Sequence, residues 1–161
     1  MSLSNLVTAS NAYYHDEFIH LHRLARLAKA FARLTGHSTE LLCLYTTYEH
    51  DHAWNRADLG LQTVRIEQIC GSEGRCEDYD NHFRPIKLHE KARWASVASA
   101  VDQGVILPPI EVVKVEEIYF VRDGHHRVSV AKHVGQIEID AVVTVWQHVQ
   151  PHGKETDDAS E

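Results

Sequence analysis

The sequence predicts a mixed α/β fold of the α+β kind, a small sheet with packed helices, preceded by N-terminal helices. Three patterns carry that expectation. Tyr14, Phe18, Leu21, Leu24, Ala28, Phe31 and Leu34 recur at three- and four-residue steps, the spacing of one helix face. Two β-type runs, over 110–115 and 118–121, are broken by Asp123-Gly124 and followed at once by a short helical stretch. Finally, Ile137, Ile139, Ala141, Val143 and Val145 keep the period of two expected of a strand with one buried face.

Taken in order, the first helix spans residues 11–34. Asn11 suits its cap, Asp16 and Glu17 its positive end, and Gly36 its stop. Residues 38–48, with Leu41, Leu44, Tyr45 and Tyr48, read as a second, shorter helix. A polar stretch over 50–58 closes this N-terminal extension, assigned to residues 1–58. The second unit, residues 59–149, opens with Val64, Ile66 and Ile69 as a short strand that ends at Gly71-Ser-Glu-Gly-Arg75. Residues 78–85 read as a loop. Ala92, Ala95, Val97, Ala98 and Val101 mark a helix over 88–103, stopped by Gly104. Pro108-Pro109 imposes extended backbone before the 110–115 strand, and Gly135 closes the helix over 125–134. Residues 150–161 are polar and predict a disordered tail.

The bulk properties narrow the function classes. A chain of 161 residues holds one domain with a helical extension, not two full cores. No apolar run approaches the ~20 residues needed to span a bilayer, so no membrane role is expected. Net charge is −7 with all 13 histidines neutral, which argues against a surface built wholly to grip nucleic acid. Three cysteines, Cys43, Cys70 and Cys76, are odd in number and lack metal-type spacing, so a reducing cytoplasm is the expected setting.

The strongest candidate site is Asp123-Gly124-His125-His126-Arg127. A β run ends there, a glycine permits a tight turn, and a helix begins. The first N–H groups of a helix have no partner within it and carry the positive end of its dipole, which stabilises an anion. Arg127 adds a bidentate fork for phosphate oxygens, and His125 and His126 add donors. A capped, solvated helix start is the plain alternative. A second candidate is Gly71-Ser-Glu-Gly-Arg75 with Asp78 and Asp80, where Arg75 would touch phosphate and Glu73 or Asp80 would serve a metal or a proton. His20 and His22 point ~200° apart on a helix and do not share a metal. His50-x-His52 could bind zinc, although solvation is the plainer reading. Trp94 and Trp146 read as core, and Trp54 as a stacking or partner contact.

Together these segments resemble the ParB/sulfiredoxin superfamily. The resemblance covers residues 61–145 and runs in order. Leu61-Gln-Thr-Val-Arg-Ile-Glu-Gln-Ile69 leads to a loop with Arg75. A helix ends near a glycine, and Leu107-Pro-Pro-Ile-Glu-Val112 follows. Then come Asp-Gly-His-His-Arg-x-x-x-Ala, Gly135 and Ile139-Asp-Ala-Val-Val143. It implies that residues 123–127 cradle nucleotide phosphates and that the helix near Lys91 and Arg93 lies across the same cleft. Members of the superfamily include partition proteins that bind and hydrolyse CTP, sulfiredoxins that use ATP to repair an oxidised cysteine, kinases of free serine, and nucleases. This chain carries His125 where sulfiredoxins have their reactive cysteine, which argues against thiol repair. His-His-Arg replaces the Glu-Arg-Arg of partition proteins, and no helix-turn-helix reader follows, which argues against chromosome partition.

The leading expectation is therefore a nucleotide-binding protein that takes CTP, ATP or ADP with Mg²⁺. Hydrolysis or phosphoryl transfer, as a hydrolase or small-molecule kinase, would extend it. Arg75, Lys91, Arg93, Gly124, His125, His126 and Arg127 would bind the nucleotide, and Glu73, Asp80 and Asp123 are the candidate catalytic carboxylates. A metal site is not assigned. Two alternatives stand beside it. One is a nucleotide-switched regulatory protein with a homodimer face on the N-terminal helices, and the other is a DNA-associated nuclease or regulator, disfavoured by charge.

Overall fold

The computed structural model describes the backbone of residues 3–48 and 54–148, and the side chains of 12–48 and 54–147. Helix α1 runs Leu3–Thr35, longer at its start than the apolar spacing predicts. Strand β1 (Leu42–Cys43) and the single turn α2 (Leu44–Thr47) follow, then β2 (Trp54–Arg65) and β3 (Ile69–Ser72). The remaining elements are α3 (Lys91–Asp102), β4 (Ile110–Val115), β5 (Ile118–Asp123), α4 (His125–His133) and β6 (Glu138–His148). Short 3-10 turns at Ile66–Gln68 and Leu88–Glu90 precede β3 and α3.

The six strands form one mixed sheet in the order β1-β3-β5-β4-β6-β2. β1 and β5 flank β3 in parallel, β4 runs antiparallel to β5 and parallel to β6, and β2 runs antiparallel to β6. One face packs Val112, Val121, Ala141, Val143 and Val128 with Tyr79 and Phe83. The other packs Val113, Val115, Phe120 and Trp146 under Leu44, Tyr48 and Trp54. A third cluster, Phe18, Leu21, Trp94, Ala98 and Val130, joins α1, α3 and α4. Trp94 is fully buried there, and its Nε1 donates to Ser129 Oγ at 2.9 Å.

Three element expectations are corrected. The strand expected through Val64, Ile66 and Ile69 is split, because the 3-10 turn at Ile66–Gln68 separates the end of β2 from β3. Residues 38–48 do not form a helix of their own: 42–43 pair with β3, and only 44–47 make a helical turn. Tyr45, Thr46 and Thr47 favour helix weakly, and the open edge of β3 recruits Leu42 and Cys43 instead. Residues 54–58 are not a polar linker, because β2 begins at Trp54 and continues across the expected boundary at 58. As an edge strand it leaves Asn55, Arg56 and Asp58 in solvent, and that hides its β character from a pattern search. A bulge between Asp58 and Gly60, with Gly60 at φ 69°, turns the strand inward. Trp54, expected as a stacking residue, packs edge-on to Tyr48 at 5.8 Å and tilts against Trp146 at 6.3 Å.

The cysteines also depart from expectation. Cys43 and Cys76 form a disulfide, with Cα atoms 5.4 Å apart, and Cys70 is free. Pairing of Cys43 with Ser72 across β1 and β3 carries it to the loop that holds Cys76, a proximity that a sequence separation of 33 conceals. Among the described residues no helix is long and apolar enough to cross a membrane. The expected His50-x-His52 pair and the tail lie outside the described residues.

Candidate functional site

The site grows from the junction of β5 and α4. Gly124 lies between them at φ 98°, where L side chains rarely go. A Cβ at this position would also sit 2.5 Å from Ile110 Cγ2, so only glycine lets the turn close on β4. No side chain caps α4, so its first N–H groups have no side-chain acceptor.

His125 and His126 point inward to a cluster that β3, the loop after it and the turn before α3 assemble. Ser72 is fully buried, and its Oγ accepts the N–H of Arg75 at 2.8 Å and of Gly74 at 3.3 Å. With both lone pairs occupied, its hydroxyl donates to His125 Nε2, 2.8 Å away, which leaves the His125 proton on Nδ1. Tyr79 stacks on His125 at 5.8 Å and meets His126 edge-on at 6.4 Å. Burial lowers the His125 pKa to about 4, and the neighbouring Arg75 and His126 reinforce that effect. His125 is thus a neutral imidazole at ordinary pH.

Glu90 is the hub of the charges. One of its oxygens takes Arg75 Nη2 at 2.8 Å and His89 Nε2 at 2.9 Å, and the other meets His126 Nε2. Burial opposes its charge, but Arg75 and His126 outweigh that and hold its pKa below the usual range. His126 is shifted down: burial dominates, and Glu90 only partly restores the charge. Arg75 also donates to Asp78 at 2.6 Å and covers the Tyr79 ring at 5.7 Å. The Tyr79 hydroxyl is buried with no hydrogen-bond partner among the described residues. Its pKa is raised, above all by burial.

The other residues named from sequence are placed as follows. Arg127 turns away from His126 and donates to the Pro108 and Pro109 carbonyls at 2.5 and 2.6 Å, and to Asp123 at 2.6 Å. It fastens the proline segment to α4. Glu73 is held by Arg122 at 2.6 Å and by the Tyr45 hydroxyl at 3.0 Å. Burial works against its charge, yet these two bonds hold its carboxyl below its ordinary pKa. Asp80 is almost wholly buried and accepts from the His82 and Arg84 N–H groups and from Arg84 Nε at 2.7 Å, knotting its own loop. Lys91 and Arg93 lie in the first turn of α3, which follows Glu90 directly and packs on α4 through Trp94. Among the described residues no group of three or more His, Cys, Asp or Glu side chains is arranged to hold a metal.

Sequence reasoning passed over Glu90, Tyr79 and Ser72. Glu90 had no local motif, Tyr79 looked like loop, and Ser72 lay inside a glycine-rich turn. Only the Ser-x-x-Arg spacing, which lets a side-chain oxygen cap the turn at Arg75, could have pointed to Ser72.

A mixed six-stranded sheet that delivers an uncapped helix start to a partly buried Arg–Glu–His cluster defines a small α/β domain built on a strand–glycine–helix turn. Residues 60–151 match the family described as the ParB N-terminal domain, and the chain belongs to that family. The expected limits, 61–145, fall inside that match. Among solved structures, sulfiredoxin from Arabidopsis thaliana is similar at 18% identity over 52% of this chain and 82% of that one, with a TM-score of 0.37. No curated protein matches the chain.

Proposed function

We propose that this ParB-family domain binds the phosphates of a nucleotide at the start of α4. The observation that carries this reading is the uncapped helix N-terminus beside Arg75 and His126. The Arg75 guanidinium and the His126 imidazole now share one carboxylate, Glu90, so the cluster already holds a negative group between them. A phosphate would take the N–H groups of His125, His126 and Arg127, with Arg75 and His126 in reach and Arg93 and Lys91 across the cleft. Mg²⁺ would be held chiefly by the phosphates, since such sites commonly draw only one or two carboxylates from the protein. Asp123, paired with Arg127 but exposed at the turn, is the carboxylate best placed to help, whereas Glu73 and Asp80 are held farther inside their own loops.

Calorimetry with CTP, ATP, ADP and GTP plus Mg²⁺ tests the proposal. At least one should bind, and Arg75→Ala should weaken it by about 1.5–3 kcal/mol, the value of a charge-assisted hydrogen bond. Unchanged affinity in folded Arg75→Ala, or no binding across the panel, overturns it. Phosphate release separates a hydrolase or kinase from a nucleotide-switched regulatory protein. Steeply salt-dependent DNA binding without nucleotide binding would favour the DNA-associated reading instead.

A further inference from the structure

A cavity of about 580 Å³ lies along the C-terminal half of α4, between it, α1 and the turn after β2. That volume falls within the ~300–1,000 Å³ of small-molecule sites. Leu21, Ile66, Phe83 and Ile137 give it an apolar wall, and Ser129 and Lys132 line it from α4. It is separate from the cluster at the other end of the helix, since seven residues of helix separate Lys132 from His125 by ~10 Å.

The charges of this cavity are unevenly matched. Arg65 is paired with Glu67 at 2.8 Å and Arg84 with Asp80 at 2.7 Å, while His133 lies 3.3 Å from Glu17. Lys132 has no carboxylate partner among the described residues. Its half-buried Nζ donates to the Ile69 carbonyl at 3.1 Å and lies 5.2 Å from the centre of the Phe83 ring. Burial lowers the Lys132 pKa, and the nearby Cys70 thiol offsets this only in part, as expected of an ammonium drawn from water without a carboxylate partner.

The wall beside Lys132 is held in a costly conformation. Phe83 has φ 58°, a left-handed backbone that is an outlier for so bulky a side chain. Asp80 enforces it, because its carboxylate accepts the N–H groups of His82 and Arg84 and its carbonyl accepts that of Phe83 at 2.8 Å. Strain of this kind persists only where surrounding bonds over-determine it, and it clusters at ligand sites. Here it presents the ring to the cavity under the unmatched ammonium.

We infer that the cavity is a binding site for a small amphipathic carboxylate, its charge on Lys132 and its apolar body against Phe83, Ile66 and Leu21. A single charge suits it better than a phosphate dianion, because both arginines are already paired with carboxylates and, among the described residues, no α-helix begins at its wall. Calorimetry on the full chain with phenylacetate and its neutral isostere phenylacetamide tests this. Phenylacetate should bind at least about ten-fold more tightly, the ratio expected of one charge-assisted contact. Lys132→Met should erase the difference, and Lys132→Arg should retain part of it. Ile137→Trp, at an exposed position on the rim, should weaken phenylacetate and serves as the deciding variant if Lys132→Met does not fold. The inference is overturned if the two compounds bind alike, if neither binds at millimolar concentration, if folded Lys132→Met still discriminates, or if Ile137→Trp leaves phenylacetate affinity unchanged.

Discussion

His125 is closed in by Ser72, Tyr79 and the first turn of α4, and its pKa falls from 6.5 to about 4 because burial disfavours its charged form. In the unfolded chain the same imidazole takes up a proton near 6.5. Between those values the unfolded state binds more protons, so stability is fully present above pH 6.5 and is lost as pH falls toward 4. The span is worth on the order of 3 kcal/mol at its limit. Urea unfolding at pH 7 and pH 5 should show this loss, with His126 adding in the same direction. His125→Gln should flatten the slope. An unchanged slope would mean that His125 is more solvated than its surroundings indicate. At this scale Gly124, His125, His126 and Arg75 could be read from the sequence, because a glycine turn before a helix has a local signature. Glu90 could not, since what makes it matter is contact with residues from two other segments.

Helix α1 has two faces with different fates. Phe18 is fully buried and meets Trp94 edge-on at 6.0 Å, so α1 is part of the core and not an appendage. Phe18→Ala should cost about 3–5 kcal/mol in urea unfolding. By contrast Leu27, Phe31 and Leu34, at helical spacing in the last turns, are exposed, Leu34 by 86%. Phe31 and Leu34 were read from periodicity as facing the core together with Phe18. At ~100° per residue all three lie on the side of α1 opposite Phe18, while Ala32 in the same turns is buried, so the core-facing stripe runs through Ala25 and Ala32 and the opposite face stays in solvent. Joint Phe31→Ser and Leu34→Ser changes should alter monomer stability by less than about 0.5 kcal/mol. The homodimer through these helices remains a proposal. Sedimentation equilibrium tests it, and a monomer at all concentrations would remove it, while a dimer abolished by the two serines would support it.

Across the whole molecule, the Cys43–Cys76 disulfide ties the edge strand β1 to the loop that carries Arg75. Gly71 makes the same region compact, since a Cβ there would lie 2.4 Å from the Phe120 ring and 2.7 Å from the Leu42 carbonyl oxygen. A cross-link spanning 33 positions should stabilise the fold by about 3–4 kcal/mol through the unfolded chain's lost entropy. Urea unfolding with and without dithiothreitol should show that difference, and Cys43→Ser with Cys76→Ser should reproduce the reduced state. Equal stability of the two forms would show that β1 is held by its strand pairing alone. Reduction should also weaken any ligand held through Arg75, because its loop loses the anchor one residue away.

The sequence by itself determined the mixed α/β class, β4 and α4 nearly to the residue, β5 and β6 to within two or three residues at their ends, and the glycine turn at Gly124. Each of these is written in short-range terms: a period of 2 or 3.6, a proline pair, a residue that tolerates positive φ. Tertiary structure decided the rest. It made β2 a strand through β6, drew residues 42–43 from a helical pattern into the sheet, and paired Cys43 with Cys76. It also turned Arg127 onto the proline carbonyls and gave Arg75 and His126 to Glu90. The physical reason is common to all of these. Edge pairing, disulfides and charge clusters join segments far apart along the chain, and their energies depend on distances that only the folded packing sets.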